Sequence, residues 1–116
     1  MVSKNTAVLK KILQHAVSIM DYCNDCRSRE DFEANSMRVE ATVFNLMQIG
    51  ELAKESLDDE TKERIKTIPW QQIYGLRNRI VHGYSGVNMQ IVWDTVRDDI
   101  PALRNEISCF LENKAL

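Results

Sequence analysis

Between Arg77 and Tyr84 the chain reads RNRIVHGY, a short run of side chains able to act on a phosphodiester. An imidazole, with an unperturbed pKa of about 6.5, can both take and give a proton near neutral pH. A guanidinium stays charged and can grip a phosphate through paired hydrogen bonds. Asn78 can orient either partner or a ribose hydroxyl. Arg77 and His82 are five apart, while Asn78 and His82 are four apart and share a helix face. Together they could assist attack of an RNA 2′-hydroxyl on the adjacent phosphate. His82 would serve as general base or acid, and Arg77 would stabilise charge on the phosphorane. Arg79 alternates with these residues and reads as added positive charge or as a solvated arginine. No set of metal ligands or cofactor motif accompanies them, so the expected chemistry is metal-independent. A reaction needing both a base and an acid would benefit from two histidines, which a two-fold homodimer would bring into one cleft.

These residues must be carried by helices, because apolar positions recur at spacings of three and four. The first helix is expected over about 6–27, with Leu9, Ile12, Leu13, Ala16, Val17, Met20 and Cys23 as its stripe and Asn5 or Thr6 as its cap. A second begins at Ser28, where Ser-x-x-Asp resembles a capping box. It is expected to run through Phe32, Met37, Ala41, Phe44, Met47 and Leu52 to about Ser56, with Val43 and Leu46 on adjoining faces. So wide an apolar surface predicts packing on more than one side. Gly50 within it costs about 1 kcal/mol relative to Ala, which points to a close helix approach. A short helix follows over Thr61 to Lys66. Ile68-Pro69 interrupts the pattern, and Pro69 suits the first position of the next helix. That helix has Trp70, Ile73, Leu76, Ile80 and Val81 as its expected buried face and Gly83 as its terminator. Asn88 caps the last helix, whose stripe is Ile91, Val92, Val96, Ile100, Leu103, Ile107, Phe110 and Leu111. Pro101 removes one backbone donor there and predicts a kink near Asp98. The sum is an all-α antiparallel bundle of four to five helices, one domain over residues 1–116.

Composition agrees. Four Gly and two Pro in 116 residues are too few for an all-β chain that must turn often. No apolar run approaches the roughly 20 residues needed to span a bilayer. Lys10 and Lys11 stand where a signal peptide would need its apolar stretch to continue, so a cytoplasmic protein is expected. A net charge of -2 and a pI of 5.7 lack the basic footprint of a nucleic-acid binder, so any affinity for RNA must be local. Cys23 and Cys26 form a CxxC and Cys109 stands alone. Zinc needs about four ligands, and only His15 and His82 could join these thiols, which therefore read as reduced cysteines at or near a helix surface. His15 reads as a surface or internally satisfied histidine. Asp94, Asp98 and Asp99 fit the expected kink better than a metal site. Lys62, Arg64 and Lys66 read as a solvated face, or as a track for a backbone phosphate.

The stretch IPWQQIYGLRNRIVHGYSGVNMQIVWDTVRDDIPAL, with FNLMQIGELAKES upstream, closely resembles the HepT-like branch of the HEPN superfamily. The resemblance covers roughly residues 8–112. Members carry an Arg, often followed by Asn, then a His, any residue and a Tyr; Arg77, Asn78, His82 and Tyr84 match these positions. The resemblance implies a helical bundle that dimerises with the Arg and His at the shared interface, and a metal-independent endoribonuclease acting on RNA. It further implies the toxin of a toxin–antitoxin pair, whose partner is a small nucleotidyltransferase of the MntA type. In that family the partner modifies the motif tyrosine with AMP, and Tyr84 holds the matching position. Glu51, in the segment IGE, is placed near the motif helix, where it could orient His82, hold Arg77 or remain a surface charge. An alternative of another class is a non-catalytic subunit that supplies substrate or nucleotide contacts to a two-chain nucleotidyltransferase. A third, a bare dimerisation module, fits poorly with retention of all four motif residues.

Overall fold

Ser3 opens the first helix, α1 (Lys4–Tyr22), in the computed structural model of the chain, which describes residues 3–83 and 86–114. Its side-chain oxygen accepts the Thr6 amide hydrogen at 3.1 Å, so the cap lies earlier than Asn5 or Thr6. A short helix, α2 (Arg29–Glu33), starts as expected at Ser28, whose hydroxyl accepts from the Asp31 amide. Asp31 returns a carboxylate to the Arg27 amide at 3.0 Å. The expected single helix over 28–56 is in fact two. Asn35 accepts from the Arg38 amide and caps a separate α3 (Ser36–Glu55).

That break also explains why α1 stops at Tyr22 rather than near Arg27. From the first turn of α3, Arg38 donates Nε–H to the Tyr22 carbonyl and Nη1–H to the Asp31 carbonyl, each at 2.9 Å. A side chain distant in sequence thus satisfies carbonyls that a helix end leaves open. The CxxC therefore lies at the turn after α1, not deep within a helix.

Restarting at Asn35 changes the rotation of α3. Phe32 is buried and stacks on Trp93 with ring centroids 5.8 Å apart. Met37 and Phe44, expected on the buried stripe, are instead 77% and 53% exposed. Val43, Leu46, Ile49 and Ala53 form the buried side, together with Thr42 and Asn45.

Asp58 caps the short α4 (Asp59–Arg64) by accepting from the Thr61 amide at 2.8 Å. Pro69 sits just before α5 (Trp70–Gly83) rather than inside its first turn, and its carbonyl accepts the Ile73 amide hydrogen. Trp70 and Ile80 are buried and Ile73 and Leu76 half-buried, but Val81 is 46% exposed, contrary to expectation. Asn88 caps α6 (Met89–Asp94), which continues through a π-helical turn at Thr95–Asp99 into α7 (Ile100–Lys114). The Ile100 amide bonds the Thr95 carbonyl, widening the helix one residue before Pro101. The expected kink takes this form.

Helix α3 packs between α1 and α5, and α1 also packs on α7. Asn5 of α1 meets Asp58 beyond the end of α3, while Arg38 at the start of α3 meets Tyr22 at the end of α1. The neighbours are therefore antiparallel, and the helices share one apolar core. The architecture is the all-α bundle anticipated above. No described helix is long and apolar enough to cross a membrane.

Candidate functional site

The crossing of α3 and α5 is closest at Gly50. A Cβ added there would lie 2.8 Å from Arg77 Cγ and nearer still to Arg77 Cβ, with the Ile73 carbonyl at 3.5 Å. The missing side chain forms a notch through which the stem of Arg77 passes, which accounts for a glycine inside a helix. Beyond the notch the guanidinium meets Glu51, the next residue on α3. Nε donates to Glu51 Oε1 at 2.5 Å, and Nη2 pairs with the same oxygen. Nη1 donates to Asn78 Oδ1 at 2.8 Å. The Arg77 side chain is 18% exposed, so it is held at the surface rather than sealed in the core. One N–H on Nη1 and one on Nη2 are not used by these bonds and remain for a ligand.

His82 lies in the last turn of α5 and is exposed. It makes no hydrogen bond or ion pair with the described residues. Of the two partners considered for Glu51, the structure brings it to Arg77 and not to His82. Asn78 shares the face of His82 but uses its carbonyl oxygen on Arg77. Tyr84 lies outside the described residues.

Arg79 is exposed on another side of α5, at the rim of a cleft of about 480 Å³ between α5 and the α6–α7 helix. Ile73, Leu76 and Ile100 line that cleft, and Asp94 and Asp99 border it. A shallower apolar recess runs along Phe44, Met47, Ile80 and Val81, beside the C-terminal part of α5. This exposed surface was hidden from sequence reasoning, which assigned Phe44 and Val81 to the core. Gly75 shares a face with Asn78 and His82, and a Cβ there would meet nothing within 4 Å.

The remaining polar groups find local roles. His15 Nδ1 lies 2.7 Å from Asn45 Oδ1, making it an internally satisfied histidine. All three cysteines are free. Cys23 is buried beside Thr42, Cys26 is half-buried, and burial raises the pKa of both thiols. Asp94 and Asp98 pair with Arg97, while partial burial and these two neighbouring carboxylates raise the pKa of Asp99. Among the described residues, no three His, Cys, Asp or Glu side chains gather where a metal ion could bind. Lys62 lies over the Tyr74 ring and Arg64 over the Phe110 ring.

The profile of the ribonuclease HepT-like family matches residues 12–110. A protein of Caldanaerobacter subterraneus subsp. tengcongensis that carries a provisional RNase name is 33% identical, over 91% of this chain and 93% of its own length. Another provisionally named RNase, from Methanocaldococcus jannaschii, is 31% identical over 87% of this chain and 91% of its own. A protein of Thermococcus cleftensis named a probable ribonuclease HepT is 32% identical over 66% of this chain and 69% of its own. No solved structure matches the chain.

Proposed function

The chain belongs to the ribonuclease HepT-like family, and from that membership and the geometry of α5 we propose that it is a metal-independent endoribonuclease. The observation that carries the reading is Arg77, held by Glu51 and Asn78 with N–H groups left for a phosphate, on the same helix as an exposed imidazole at His82. His82 takes the proton of a 2′-hydroxyl, whose oxygen attacks the adjacent phosphorus. The P–O2′ bond forms and the P–O5′ bond breaks, leaving a 2′,3′-cyclic phosphate and a 5′-hydroxyl that collects the proton. Arg77, with Asn78 behind it, stabilises the charge that builds on the phosphorane. The positive charge comes from the guanidinium and the proton transfer from imidazole, so cleavage is expected to persist in a chelator.

The same reading includes a homodimer. His82 is unpartnered among the described residues, and α5 offers a single imidazole to a reaction with two proton transfers. Phe44 and Val81 leave an apolar patch beside the motif, and Gly75 leaves open space on the face of Asn78 and His82. A second copy docked there covers the patch and supplies the second histidine.

The family resemblance extends the proposal to control. The chain acts in the cytoplasm as the toxin of a pair, and an MntA-like nucleotidyltransferase silences it by transferring AMP to Tyr84. Added AMP would bring bulk and a negative phosphate, and both oppose the binding of RNA. Inducing the chain alone is expected to arrest growth and degrade cellular RNA, whereas His82→Ala does neither. Intact RNA and equal growth in both cultures would overturn the nuclease reading. Peptide masses around Tyr84, with and without the partner, test the modification: one AMP added is expected, and an unchanged mass beside an active partner refutes it.

A further inference from the structure

We propose that Glu51 is a positioning residue for Arg77: it clamps one edge of the guanidinium so that the N–H groups left on Nη1 and Nη2 face the scissile phosphate. The inference rests on the reading of Arg77 as the phosphate ligand and adds how that ligand is aimed. Three observations converge on it. Gly50 opens a notch whose nearest added-atom contacts are the Cβ and Cγ of Arg77 itself, so the approach of α3 to α5 is shaped around this one side chain. Glu51 follows immediately on α3 and takes both Nε and Nη2 on a single carboxylate oxygen. Asn78 takes Nη1 from the other side. An arginine on a helix surface otherwise samples many rotamers, whereas this one is gripped at its stem and at three nitrogens.

The arrangement has an electrostatic consequence. The Glu51 carboxylate offsets part of the Arg77 charge, which weakens attraction for a ground-state phosphodiester. The orientation it imposes matters most when further negative charge develops on the phosphorane oxygens. Glu51 therefore lowers RNA affinity slightly and raises turnover. A residue that served only to hold α3 against α5 would change folding stability and leave both kinetic constants of the folded protein alone.

The test uses the full chain and a fluorescein-labelled single-stranded RNA of mixed sequence, following kcat and KM, with folding checked by circular dichroism. In Glu51→Gln, which keeps the shape and removes the charge, kcat is expected to fall about tenfold or more while KM stays level or drops. Glu51→Asp, which keeps the charge one methylene further back, should fold and show a kcat between Glu51→Gln and wild type. A wild-type kcat in folded Glu51→Gln would overturn the inference, as would a higher KM with unchanged kcat. Glu51→Asp falling below Glu51→Gln would overturn it too. Arg77→Ala separates the two levels: if that variant cleaves normally, the phosphate-ligand reading fails. If it is inactive while Glu51→Gln is normal, only the role of Glu51 fails.

Discussion

Arg77 is fixed from two helices at once, and each contact has a separable effect. The hydrogen bond from Nη1 to Asn78 Oδ1 joins a charged donor to a neutral acceptor on the same helix. Bonds of that type contribute about 1.5–3 kcal/mol when intact, but this one is only half-buried. Asn78→Ala should therefore slow RNA cleavage about tenfold with the fold unchanged, measured as kcat on a labelled RNA and checked by thermal melting. Unaltered kcat would remove Asn78 from the site. His82 differs in kind, since nothing among the described residues orients it. In the proposed dimer, the second copy would supply that orientation.

At the scale of the elements, the α3–α5 crossing positions the site and Gly50 sets its closeness. Gly50→Ala gains helix propensity but forces a methyl against the stem of Arg77. Overpacking of this sort costs about 1–3 kcal/mol, so a lower melting temperature and reduced cleavage are expected together. A variant that melted higher and cleaved normally would show that the notch is not needed. Local features of these helices were legible in the sequence: the Ser28 and Asn88 caps, the close approach at Gly50 and the distortion before Pro101 all follow from nearby residues. Features that depend on a distant partner were not. Tyr22 ends α1 because Arg38 arrives from another helix, and the restart at Asn35 turns Met37 and Phe44 outward. Asn is a residue type that caps helices, but at position 35 it lies inside a continuous apolar pattern. Glu51 could be placed near the motif helix by resemblance, but its choice of Arg77 over His82 depends on how α3 and α5 are rotated.

For the whole molecule, a net charge of -2 means that attraction for RNA must be concentrated where positively charged side chains are aimed outward. Two chains meeting along the apolar edge of α3 and α5 would concentrate it further. Phe44→Glu and Val81→Glu alter side chains that are 53% and 46% exposed, so each variant should fold normally. Both should sediment as monomers where the wild type sediments as a dimer, and both should lose cleavage; dimers that remain active would place the interface elsewhere. In the proposed reaction α5 acts on the phosphodiester with its own imidazole. Purified wild-type chain and His82→Ala, incubated side by side with a labelled RNA in the presence of a chelator, test this. Wild type is predicted to leave 2′,3′-cyclic phosphate and 5′-hydroxyl ends, and His82→Ala to leave the RNA intact. Equal cleavage by the two proteins, or none by wild type at any concentration that forms the dimer, would contradict the claim.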